Sequence, residues 1–132
     1  MRRITADDFF SGLFAALALK GYKTISLRNE RFDKALAVLF QELLDRAQQE
    51  DLDVRFRIRE HPIHGDSTTV RRGISDAAQR GVISLDNPEY QDIRIKLDEY
   101  RASRILETVP GGAAMFSKLA DSFVHQYMAI SA

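Results

Sequence analysis

The segment Glu60-His61-Pro62-Ile63-His64-Gly65-Asp66 brings two imidazoles and two carboxylates within seven residues. Those are ligand types for zinc or for a harder divalent ion. A two-histidine helical site, however, needs both rings one turn apart on a regular helix, and here a proline interrupts a closer spacing. The segment reads as a polar loop, with no metal and no cofactor expected. A hydrogen-bonding role for His61 or His64 beside the following helix stays open. Other catalytic arrangements have less support. No serine stands in a glycine-flanked elbow, no glycine-rich loop ends in a lysine that would cradle phosphate, and there is no dinucleotide fingerprint. The chain has no cysteine, which excludes disulfides and a thiolate nucleophile. Gly111-Gly112 ahead of a helix can offer amides to an anion, but a helix-breaking turn after Pro110 explains both glycines more simply. His125, among apolar neighbours, reads as a boundary residue. No nucleophile, base and orienting group come together, so a non-catalytic role is expected.

Arginine supplies the remaining chemistry. Arg55, Arg57 and Arg59 alternate with Val54, Phe56 and Ile58, which places them on one strand face at intervals of about 6.7 Å. Arg94 and Lys96 alternate in the same way with Ile93, Ile95 and Leu97, on a strand that can pair alongside. Five cations on one sheet face would attract a phosphate backbone or an acidic partner. Asp51, Asp53, Glu60, Asp92, Asp98 and Glu99 flank both strands, and ion pairing with them is the simpler reading. A third group lies between Ser67 and Arg80. With Val70, Ile74, Ala77 and Ala78 facing inward, Thr68, Arg71, Arg72, Ser75, Gln79 and Arg80 face outward. Arginine can bond a guanine edge twice, glutamine can do the same for adenine, and serine and threonine reach phosphates. The same composition also keeps an amphipathic helix soluble, and both readings stand at this point.

The elements that must position these residues follow from hydrophobic period. At 132 residues, with 45% hydrophobic and 29% charged side chains, the chain is long enough to bury its own core, and residues 1–132 read as one domain. Its 19 basic and 19 acidic residues cancel, so any polyanion-binding surface has to arise from local concentration of cations. Thr5 can cap a helix of about residues 5–20 that ends near Gly21 and carries Phe9, Phe10, Leu13, Phe14 and Leu17 at helical spacing. Residues 22–30 read as a connection. Phe32 to about Gln48 has a broad apolar stripe, and Asp53 to Glu60 switches to period two. A helix capped by Asp66 or Ser67 runs to Gly81. Then come a short strand at Val82–Leu85, a turn at Asp86-Asn87-Pro88 and a strand through Ile93, Ile95 and Leu97. Tyr100 to Val109 is helical, Pro110-Gly111-Gly112 breaks it, and a last helix of about residues 112–129 aligns Met115, Phe116, Leu119, Phe123, Val124 and Tyr127. The two apolar terminal helices either pack on each other or build a dimer interface. The longest apolar stretch, Phe9 to Leu19, falls short of the roughly 20 residues of a membrane span. The Met-Arg-Arg start is followed at once by Asp7 and Asp8 without a small-residue cleavage site, so a cytoplasmic location and no membrane partner are expected.

From Phe32 to Leu97 the order of helix, strand, linking segment, helix and two-stranded hairpin resembles a winged helix-turn-helix domain. The fold expected is α+β and mostly helical: a winged-helix-like core at about residues 31–98 with a small antiparallel sheet, flanked by apolar N- and C-terminal helices. The resemblance implies a recognition helix at Ser67–Arg80, a wing at Val82–Leu97, and a short second helix around His61–Asp66, where Pro62 and Gly65 leave little room. It also implies terminal helices that serve oligomerisation. The expected function is a DNA-binding regulator of transcription, a homodimer that binds double-stranded DNA through its recognition helix. The alternative is protein–protein interaction, as an accessory subunit of a complex containing an ATPase or nuclease. In that case the arginines pair with local acids and the apolar terminal helices are the working surface.

Overall fold

Thr5 opens the first helix as its spacing predicts. The Asp8 amide donates to Thr5 Oγ1 at 3.2 Å and the Thr5 amide donates to Asp8 Oδ2 at 3.0 Å. This reciprocal box satisfies two amides that the helix start leaves free, and it sets Asp7 and Asp8 at the positive end of the dipole. The helix is α1, Ala6–Leu19. It closes through Gly21, with bonds from the Gly21 amide to Ala18 O and from the Tyr22 amide to Leu17 O.

The structure is a computed structural model that describes residues 2–26, 31–56, 68–85 and 92–130. Along the chain it contains β1 (Arg2–Ile4), α1, β2 (Thr24–Ser26), α2 (Arg31–Gln49), β3 (Leu52–Val54), α3 (Thr68–Gln79), β4 (Ile83–Ser84), β5 (Asp92–Ile95), α4 (Glu99–Thr108) and α5 (Gly112–Ile130). The fold is α+β and mostly helical. One sheet is three-stranded and antiparallel in the order β2-β5-β4, and β1 pairs with β3 in parallel. Among the described residues no helix is long and apolar enough to cross a membrane.

The core is built around α1. Phe9, Phe10, Leu13, Phe14 and Leu17 are all buried, and α3, α4 and α5 pack on this helix. Small residues permit the close approaches: a Cβ on Gly12 would lie 2.6 Å from the Phe116 ring of α5, and a Cβ on Gly73 would lie 2.2 Å from the Phe10 ring. A run of rings then ties three helices together. Phe14 stacks on Phe32 of α2 at 6.4 Å between centroids, and Phe32 meets Phe123 of α5 edge-on at 5.6 Å.

Three expectations change. The strand expected at Asp53–Glu60 is Leu52–Val54, with residues 57–60 outside the described set, and it pairs with β1, not with the strand of Arg94 and Lys96. Pairing there buries Ile4 and Leu52, while the two sides of β5 are already taken by β2 and β4. The segment 22–30, expected as a connection, contains β2, whose Ile25 is buried opposite the buried Ile93. The terminal helices do not flank a separate core at residues 31–98: one hydrophobic cluster runs from Ile4 to Phe123, and α1 and α5 pack on each other inside it. The apolar stripes that suggested a dimer interface are the centre of this fold. The short second helix expected around His61–Asp66 and the cap at Asp66 or Ser67 lie outside the described residues.

Candidate nucleic-acid interface

Helix α3 lays Val70, Ile74 and Ala77 against the interior, with Ala78 half-buried beside them. Gly73 completes the inward face by letting Phe10 of α1 press on the helix backbone. The opposite face is therefore free of the core, and Arg71, Arg72, Ser75, Gln79 and Arg80 are all exposed. At about 100° per residue, Arg72, Ser75 and Gln79 fall within an arc of roughly 60°, along about 10 Å of helix. This is the polar stripe the spacing predicts. Thr68 is the first residue of the same helix.

The end of α3 is fixed by its chemistry. Gly81, at φ 77°, takes the left-handed conformation, and the Gly81 and Val82 amides donate to Ala78 O and Ala77 O at 3.1 and 3.0 Å. That single turn leads straight into β4, so the orientation of α3 and that of the β4–β5 hairpin are coupled. Arg80 also reaches back to the first turn of α1, where its Nη2 donates to Asp7 Oδ2 at 2.9 Å. Both partners are substantially exposed, so this pair contributes no more than about 1 kcal/mol.

Among the described residues the strand cations do not form one face. Arg55 follows β3, beside β1, and its guanidinium pairs with Asp53 at 2.7 Å. Arg57 and Arg59 lie outside the described residues. Arg94 and Lys96 are together on the β5 side, both exposed, while Ile93, Ile95 and Leu97 between and beside them are buried. Among the described residues neither has an ion-pair partner. Local pairing with acids thus holds for Arg55 and Arg80, whereas Arg72, Arg94 and Lys96 keep their charge available to a ligand.

The histidine cluster at His61 and His64 lies outside the described residues. Among the described residues no group of three or more His, Cys, Asp and Glu is placed to hold a metal. Gly111 and Gly112 both have positive φ; Gly111 lies in the turn between α4 and α5, and Gly112 is the first residue of α5. Two surface residues escaped the sequence reading. Thr24 was missed because β2 has a single inward apolar residue, too short a pattern to register as period two. Arg101 was missed because its position depends on tertiary contact: its Nη2 lies 3.8 Å from where a Cβ on Gly81 would stand, at the end of α3.

No protein-family model matches the chain, and neither the curated proteins nor the solved structures contain a match to it.

Proposed function

We propose that this chain is a non-catalytic protein that binds double-stranded DNA, with α3 as the element that enters the major groove. The observation that carries the reading is the stripe of Arg72, Ser75 and Gln79: it is exposed, faces away from the core and is joined by one turn to a hairpin carrying Arg94 and Lys96. Arg72 and Gln79 read base edges, while Ser75 and the hairpin cations hold the backbone. Binding energy alone does the work, and regulation of transcription follows from occupancy of the duplex. Two copies on one duplex meet through a surface other than the buried stripes of α1 and α5.

The test is fluorescence anisotropy of a labelled duplex, selected for binding from a random-sequence pool, with the wild type and an Arg72→Ala/Gln79→Ala variant. The reading expects the variant to bind about tenfold or more weakly, since one good base contact is worth roughly 1–3 kcal/mol. Equal affinities would remove α3 from the interface. The second reading, a protein-binding accessory subunit, draws on the Arg55–Asp53 and Arg80–Asp7 pairs, which consume cations within the chain. It expects no duplex affinity at low salt.

A further inference from the structure

Sheet register sets Arg94 between two hydroxyls. Its Cα partner on β2 is Thr24 and its partner on β4 is Ser84. Residues directly opposed on neighbouring strands share a face and stand about 4.5–5.5 Å apart, so the three form a row roughly 10 Å long across the sheet. The row belongs to the outer face. Ile25, Ile83, Ile93 and Ile95, which alternate with it, are buried, while Thr24 and Arg94 are exposed and Ser84 is half-buried. Lys96 lies one pleat further along the same face, about 6.7 Å from Arg94. Its amide donates to Val82 O at 2.8 Å, which continues the hairpin to that point. The acid of this face, Asp92, sits at the other end of β5, opposite Ser26.

We infer that this outer face contacts the sugar-phosphate backbone of the nucleic acid that α3 engages, with Thr24 donating its hydroxyl to a phosphate oxygen and Arg94 and Lys96 supplying the charge. The inference rests on the DNA-binding reading of α3 and extends it to β2, a strand remote in sequence from the recognition helix. Depth decides for backbone over bases. Base edges lie at the floor of a major groove about 8.5 Å deep, beyond the reach of a threonine hydroxyl on a sheet surface, whereas phosphates line the outside of the duplex. The residues also divide the work by charge. A neutral hydroxyl adds a hydrogen bond without releasing a counterion, and each cation releases about one.

That division makes the proposal testable apart from the reading it rests on. Anisotropy of the same selected duplex is measured across a salt series for wild type, Thr24→Val, Arg94→Ala, Lys96→Ala and Arg72→Ala. Thermal melts establish that each variant is folded; valine suits a strand and keeps the shape of threonine. The expected result is that Thr24→Val weakens binding roughly threefold to tenfold at an unchanged salt slope, while Arg94→Ala and Lys96→Ala each flatten the slope by about one. If Arg72→Ala weakens binding but Thr24→Val, Arg94→Ala and Lys96→Ala keep the wild-type affinity and slope, the sheet face is only a solvated surface and this inference is overturned, with the α3 reading intact. If the wild type itself binds no duplex at low salt, both fall together.

Discussion

Phe10 and Gly73 meet at a distance that leaves no room for a side chain. A Cβ at residue 73 would stand 2.2 Å from a ring that is 1% exposed and hemmed in by the core. Gly73→Ala should therefore destabilise the fold by about 1–3 kcal/mol, the usual cost of overpacking, and lower the midpoint of urea unfolding. Across the helix the expectation reverses. Arg72 is exposed and makes no ion pair among the described residues, so Arg72→Ala should change stability by no more than about 0.5 kcal/mol while weakening duplex binding. At this scale much of the candidate site was legible. The helical period separated Val70, Ile74 and Ala77 from the exposed arginines and Gln79, because an amphipathic helix writes its two faces into local spacing. Partners were not legible where they lie far apart in the chain: nothing near Arg80 announces Asp7, 73 residues away.

Helices and strands differed in how much they declared. The start of α1 and the ends of α1 and α3 were written locally, by Thr5 with Asp8 and by Gly21 and Gly81 in the caps. The strands β1, β2 and β3 have three residues each, and what defines them is a partner elsewhere: Arg2 pairs with Leu52, and Thr24 with Arg94. Pairings of such long separation leave no trace in a short window, which is why the arginines of residues 55 to 59 could be imagined beside Arg94. The position of β2 also depends on α5. The Ser26 amide donates to Tyr127 Oη at 2.9 Å, and the Tyr127 hydroxyl donates back to Ser26 O at 3.2 Å. Arg31 covers the same ring at 4.1 Å from its centroid. Tyr127→Phe should cost about 1–3 kcal/mol, since it removes both hydrogen bonds between the Tyr127 hydroxyl and the Ser26 backbone, and it should speed hydrogen exchange at Ser26. If the sheet face binds phosphate, this variant should also weaken duplex binding by loosening Thr24.

On the scale of the whole molecule, the chain folds around its own termini. Phe116 and Phe123 of α5 are 0% and 2% exposed, packed respectively on Gly12 of α1 and on Phe32 of α2. Each Phe→Ala change costs about 3–5 kcal/mol in a core of this kind, against a total of about 5–15 kcal/mol for a domain. The Phe116→Ala/Phe123→Ala variant should lose its cooperative thermal transition, monitored by circular dichroism. The sequence showed that both terminal helices were apolar and left packing on each other and a dimer interface as alternatives; that α1 and α5 pack on each other was decided by topology, which composition does not encode. On the proposed reading, the exposed, cation-bearing surface of α3 and the hairpin is what engages the duplex. The most direct test is the slope of log affinity against log salt concentration for the wild type on a random-sequence duplex. Arg94 and Lys96, the two cations set on the backbone, predict a slope of about −2, at roughly −0.9 per phosphate neutralised. A flat response, or no binding at low salt, would contradict the account.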